Sequence, residues 1–270
     1  GVNEKSIIDD FMEIHNKFNK SLNKEEIYLL RNLIDGNLFF IIYSKFEEKT
    51  LTLENIQDAI SYSMELANKM KINLEFPPYY FQIKEYVEDI TIENYEELIK
   101  TITFKKWIKI LTLFKTKILK LFEKAPKTTK EIILTRGTTL DYIGQTSDKS
   151  YYKLNRFTST TLEPYEALFF ADFGHTNYGY SDESYGRNNV IYKITVEKGI
   201  PLIFINPFQY ETNLSDQMEV LLPINSLLYI ERGINKIKFP INGPNSMKSP
   251  CVPIHKYKDI NILNMRLISF

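Results

Sequence analysis

The spacing of apolar positions changes about halfway along the chain. In the first half they recur every three to four residues. Ile7, Phe11, Ile14 and Phe18 fall on one side of a helix, with Ser6 as its expected cap. Lys24 to Glu47 is apolar enough for a buried helix, with an interruption expected at Gly36. Ile56, Ala59, Ile60, Met64, Ala67 and Met70 form a further stripe. It stops at "EFPPYYF", where proline removes a donor and clashes with a continuing helix. Trp107, Leu111, Phe114, Ile118 and Leu121 mark another helix, whose opposite face is rich in Lys. A basic amphipathic helix can lie on a membrane, but a core-facing stripe with a solvated back is the commoner arrangement and the one expected.

From Glu131 the period shortens. "EIILTR", "KLNRFTS", "VIYKITV", "PLIFI", "QMEVLLP", "SLLYIER" and "INILNMRLISF" are β-branched or aromatic runs separated by Gly, Pro, Asn and Asp. One helix is expected among them, with Thr161 as cap and Pro164 in its first turn before "YEALFFADF". Helices first and strands second predict an α+β fold. The expected division is a helical region at 1–125 and a β-rich core at 126–270, packed as one unit because the strands need the helices as cover.

Composition narrows the function classes. A chain of 270 residues with 43% hydrophobic and 14% aromatic residues can bury a substantial core. Basic and acidic residues balance at 34 each, which argues against broad electrostatic binding to nucleic acid or an anionic membrane. The single Cys251 excludes an intrachain disulfide framework and a thiolate zinc cluster. The longest apolar stretch, "NLFFIIY", falls far short of the about 20 residues that span a bilayer. The opening "GVNEKSIIDDF" has neither the basic nor the apolar half of a signal peptide. His15, His175 and His255 have no metal-binding spacing, and no metal is expected. No phosphate-binding loop, dinucleotide fingerprint or nucleophile elbow is visible.

Three short segments carry the chemistry. "EIILTRGTT" is a strand ending in Arg136-Gly137, and "NRFTSTTLEP" runs Phe157-Thr158-Ser159-Thr160-Thr161 from a strand toward a helix. "SDQMEVLLP" places Gln217 two residues before Glu219, on one face if both lie in a strand. Singly, each has a bland reading as a surface Arg, a cap neighbour or the wet side of a half-buried strand. In this order, Arg, aromatic-x-Ser-Thr and Gln-x-Glu resemble the mono-ADP-ribosyltransferases of the bacterial-toxin type, and are similar to the C3-like exoenzymes. The resemblance covers about residues 120–235. The family's second motif commonly ends in Ser where this chain has Thr161, whose hydroxyl can do the same work.

The resemblance implies an ADP-ribosyltransferase core of mostly antiparallel strands in two sheets, and NAD as co-substrate. Cleaving the nicotinamide–ribose bond develops positive charge on the ribose, as in glycoside hydrolysis. Glu219 would be the catalytic carboxylate that stabilises this charge, with Ser159 fixing its geometry. Arg136 would bind the pyrophosphate through its planar fork, Gly137 would let the backbone approach nicotinamide, and Thr160 would lie in the same NAD pocket. Tyr185 and Arg187 sit where the family's NAD-covering loop would fall.

Gln217 bears on the acceptor. In the family a Glu there accompanies arginine acceptors, whereas a Gln accompanies amide or guanine acceptors. An amide both donates and accepts, so Gln217 can orient an incoming Asn or Gln side chain. Tyr210 and Leu214 lie in the loop that would meet the target, a host protein such as a small GTPase. The resemblance thus implies a secreted toxin or effector, monomeric and acting in host cytosol, with NAD hydrolysis as a side reaction. Two alternatives stand beside it: guanine of nucleic acid as acceptor, which the neutral charge disfavours, and a non-catalytic binding module on a transferase fold.

Overall fold

The structure is a computed structural model. It describes residues 3–35, 38, 39, 41, 51–139, 151–154, 156–167, 189–205, 218–240 and 257–269.

Among the described residues, the helices with assigned bounds that precede the strands are α1 (Lys5–Lys20), α2 (Lys24–Ile34), α3 (Leu53–Lys69), α4 (Tyr80–Lys84), α5 (Tyr95–Thr101) and α6 (Phe104–Lys124). Local signals fix several of their starts. Asn23 and Glu26 exchange side-chain and backbone hydrogen bonds in a capping box that opens α2, and Thr52 and Asn55 do the same for α3. Thr103 caps α6 by accepting from the Lys106 N–H. The expected cap at Ser6 is not used. Glu4 precedes α1 without a side-chain cap, and Ser6 lies inside the first turn. The buried line of α1 also runs through Phe11, His15 and Asn19, placing two polar side chains where the periodicity suggested only apolar ones. The Asn19 Nδ2 donates to the Phe204 carbonyl at 3.0 Å, which ties α1 to β5.

Helix α6 follows the sequence reading closely. Its five expected core residues are buried, together with Ile110 and Phe122. Part of its Lys-rich face serves the fold, since Lys117 pairs with Glu25 and Lys124 with Glu26, tying α6 to α2. By contrast Met70, expected in the α3 stripe, is the exposed residue that ends the helix. Helix α2 stops with Asp35 as its C-terminal cap, and Gly36 lies outside the described residues.

The second half carries β1 (Ile132–Thr139), β2 (Tyr151–Lys153), β3 (Thr158–Thr161), β4 (Asn189–Val196), β5 (Ile203–Phe204), β6 (Glu219–Leu222), β7 (Leu227–Pro240) and β8 (Tyr257–Ser269). One feature of the expected core is corrected. The described strands form one eight-stranded sheet rather than two, in the order β2-β7-β8-β4-β1-β3-β6-β5. The sheet is mostly antiparallel, as expected, with β4 and β8 as its parallel pair. The two-sheet expectation fails at a narrow place. Strands β1 and β3 are joined by a single pair, Thr135↔Thr161, which makes one sheet of its two parts. Ile132 and Leu134 from β1 and Val220 and Leu222 from β6 consequently share one hydrophobic core.

Because that joint is so short, the free edge of β1 beside it needs another partner. Asn3 supplies one. Its Oδ1 accepts from the Ile133 N–H at 2.7 Å and its Nδ2 donates to the Ile133 carbonyl at 2.7 Å, standing in for a strand. A second core joins the helices to the sheet. Trp107, Phe114, Ile118 and Phe122 of α6 belong to it, and so do Phe157, Ile203 and Leu221 from the β half.

Candidate active site

Arg136 sits in β1, Ser159 in β3, and Glu219 is the first residue of β6. Strands β3 and β6 are antiparallel with Thr161 opposite Glu219 and Ser159 opposite Leu221. Alternation along a strand therefore puts Phe157, Ser159, Glu219 and Leu221 on one face. Ser159 Oγ donates to Glu219 Oε1. Arg136 Nη1 donates to the Ser159 carbonyl at 2.6 Å, crossing from β1 to β3 one residue beyond the point where their ladder stops. A guanidinium, a serine and a carboxylate from three separated segments are thus joined in one hydrogen-bonded chain. The hydroxyl–carboxylate bond is charge-assisted, so it holds the carboxylate more firmly than a neutral pair would.

Neighbouring side chains secure the strands rather than extend the chain. Thr160 is buried and its Oγ1 donates to the Val220 carbonyl at 2.7 Å, on the opposite face from Ser159. This hydroxyl reinforces the β3–β6 pairing. Thr135 Oγ1 donates to the Thr161 carbonyl at 3.3 Å, at the single-pair joint. Gly137 is half-buried on β1 opposite Ile191. Thr161 is not the cap of the helical turn at 164–167. Its hydroxyl accepts from the Glu163 N–H at 2.9 Å, while the Glu163 carboxylate accepts from the Tyr165 N–H at 3.2 Å and so caps that turn.

The backbone immediately before Glu219 is unusual. Met218 has φ of +47°, a left-handed conformation that costs a non-glycine residue on the order of 1 kcal/mol or more. Its carbonyl accepts from the Leu162 N–H at 3.1 Å, and the Glu219 carbonyl accepts from the Ile205 N–H at 3.1 Å. Regular alternation therefore starts at Glu219. Gln217, Tyr185, Arg187, Tyr210 and Leu214 all lie outside the described residues.

The sequence reading passed over Met218 and the partner of Phe157. No pattern marks the first, because methionine carries no preference for left-handed backbone. The second had a partial signal, since Phe157 belongs to the motif and Phe122 follows Leu121 in the α6 stripe. Among the described residues no group of three or more His, Cys, Asp and Glu could hold a metal ion. None of the described helices is long and apolar enough to cross a membrane.

A carboxylate fixed by a hydroxyl and linked to a guanidinium suits a reaction that develops positive charge on a sugar beside phosphates. The chain belongs to the ADP-ribosyltransferase exoenzyme family, which matches it over residues 91–247. ADP-ribosyltransferases use NAD as the donor substrate. Among solved structures, the fold is similar to that of BECa, an ADP-ribosylating toxin of a binary enterotoxin of C. perfringens, determined with NADH. That match has 13% identity and a TM-score of 0.51, covering 97% of this chain and 48% of BECa, so the chain spans about half of that protein. Plx2a, an ADP-ribosyltransferase toxin from Paenibacillus larvae, is matched at 13% identity and a TM-score of 0.46, covering 99% of this chain and 98% of that one. An ADP-ribosyltransferase from Clostridium botulinum is matched at 19% identity and a TM-score of 0.36, covering 78% and 96% of the two chains. No curated protein matches the sequence.

Proposed function

We propose that the protein is a mono-ADP-ribosyltransferase toxin that cleaves NAD and transfers ADP-ribose to a side chain of a host target protein. The observation that carries this reading is the continuous chain from Arg136 through Ser159 to Glu219. In the reaction the bond between nicotinamide nitrogen and ribose C1′ breaks, and its electron pair leaves with neutral nicotinamide. The ribose is left with oxocarbenium character. The Glu219 carboxylate, oriented by Ser159, stabilises that charge. Arg136, itself held by Ser159, faces the pyrophosphate, and Gly137 allows close approach of the β1 backbone. A nucleophile then attacks C1′ and loses its proton. Water as nucleophile gives NAD glycohydrolysis, and a protein side chain gives transfer.

Asn or Gln of the target is the proposed acceptor, because Gln217 offers both a donor and an acceptor for an incoming amide. Tyr210 and Leu214 are its proposed neighbours in target recognition, and Tyr185 and Arg187 are proposed to cover NAD. The regions 1–125 and 126–270 act as one catalytic unit, supported by the core that Phe157 and Leu221 share with α6. The setting proposed is secretion and delivery into host cytosol, with a small GTPase as the kind of target sought.

The test is paired: nicotinamide release without protein acceptor, and transfer of labelled ADP-ribose into host lysate with the modified residue mapped by mass spectrometry. Label on Asn or Gln is expected, whereas label on Arg or on guanine overturns the acceptor assignment. Gln217→Ala should lose transfer while keeping most hydrolysis. Equal loss of both in a folded variant would remove Gln217 from acceptor recognition.

A further inference from the structure

We propose that the helical layer positions the Ser159–Glu219 pair, with Phe157 and Leu221 as positioning residues and Phe122 of α6 as the far end of the linkage. The inference rests on the catalytic reading of that pair. Phe157 lies two residues before Ser159 and Leu221 two residues after Glu219, so both share the face that carries the hydroxyl and the carboxylate. Both are buried in the core built by the helices. The rings of Phe157 and Phe122 stack with centroids 5.8 Å apart and planes within 6°. The opposite face of β6, through Val220 and Leu222, belongs to the other core.

The need for this support follows from the sheet. Strand β3 meets β1 at only one residue pair, so on that side it has almost no ladder to fix its position. On its other side, β6 is four residues long and β5 beyond it only two. These three short strands pair with one another but meet the rest of the sheet at a single residue pair, so backbone pairing does little to fix where they sit. The large ring of Phe157, seated on Phe122 near the end of α6, supplies what the ladder lacks. Helix α6 is in turn anchored to α2 through Lys117–Glu25 and Lys124–Glu26. None of these anchors has a role in the proposed chemistry, so their effect on turnover must pass through the placement of Ser159 and Glu219.

The experiment is steady-state NAD hydrolysis without acceptor, at a temperature well below unfolding, for wild type, Phe122→Leu, Phe122→Met, Phe157→Leu and the Phe122→Leu/Phe157→Leu double variant. Glu219→Gln and Ile110→Val run alongside. A misplacement of about 1 Å can cost about a hundredfold in rate, and a partial loosening should lower kcat by about tenfold. The KM for NAD should stay within about twofold, since the contacts proposed to bind NAD are untouched. The double variant should be no slower than the worse single one, because both break the same linkage. Ile110→Val, in the same helical core, should lower the thermal midpoint without changing kcat. If Phe122→Leu and the milder Phe122→Met both lower the thermal midpoint but keep wild-type kcat, the stack is merely structural and the positioning role is overturned. A Glu219→Gln enzyme with wild-type kcat overturns the catalytic reading and this proposal together. An inactive Glu219→Gln beside unchanged Phe variants overturns this proposal alone.

Discussion

The helical core and the sheet core are built on opposite plans. The first is built from helices whose starts and buried faces are set locally, with capping boxes at Asn23 and Thr52 and the stripe of α6 visible residue by residue. The second brings β4 beside β8 and β1 beside β3 across long intervals, and at one place a single residue pair joins its two parts. The proposed chemistry lies where the plans meet. Strand β6 sends Leu221 into the helical core and Val220 and Leu222 into the other, with Glu219 at its start. The contrast teaches that stability and reactivity have been given to different layers, and that one short strand couples them.

The largest effect that would break this division is Trp107→Ala. Trp107 is fully buried in the helical core, so truncation should cost about 3–5 kcal/mol of stability in urea unfolding. The folded fraction should keep its KM for NAD. Next comes Glu219→Gln, which should lower the kcat of NAD cleavage by about a hundredfold or more, on the order of 3 kcal/mol. Its thermal midpoint should remain near that of the wild type. The two variants are thus expected to separate stability from turnover, and a Trp107→Ala protein that unfolds normally but binds NAD poorly would blur the boundary.

Acid should act where α1 packs on the sheet core. His15 is buried against Phe11 at 4.0 Å between ring centroids, and burial pushes its pKa down from 6.5 to about 4. Asp10, Lys127 and Lys130 line the cleft beside it. Between pH 6.5 and 4 the unfolded chain binds a proton at His15 that the folded chain refuses, so stability is present above pH 6.5 and is lost as pH falls toward 4. The loss should approach about 1 kcal/mol per pH unit, read from urea midpoints, and His15→Leu should flatten that slope. An equal slope in His15→Leu would assign the acid sensitivity elsewhere. The smallest effect expected is Arg136→Lys, which should raise the KM for NAD about tenfold, since an ammonium cannot reproduce the guanidinium's planar contacts. An unchanged KM would remove Arg136 from NAD binding.

Legibility followed the same division. Helix α6 could be read from periodicity because its buried residues are decided by neighbours three and four positions away. Arg136, Ser159 and Glu219 were legible as motifs, while their joining depends on the Thr135↔Thr161 joint and the β3–β6 register, which are set by distant pairing. The number of sheets was misread for the same reason, since no local signal distinguishes two sheets from one sheet joined at a single pair. The caps at Ser6 and Thr161 were each misplaced by two residues: Glu4 opens α1 with no side-chain bond, and at the second turn an acidic side chain, Glu163, accepts the N–H that a Thr could also have taken. Met218 was invisible because its left-handed backbone has no signal in its own residue type; its carbonyl accepts from the distant Leu162 N–H, a pairing that no local pattern marks.

The amide of Asn3, clasped to both backbone groups of Ile133, carries a consequence for self-association. A bare strand edge is a template on which another chain can add, and proteins commonly guard such edges with charge, proline or a covering loop. Here a single side chain occupies the template by imitating one residue of the missing strand. The guard is as small as the gap it fills. Losing it would leave the hydrogen-bonding pair of Ile133 open to a neighbouring molecule, turning an intramolecular economy of strand length into a foothold for aggregation.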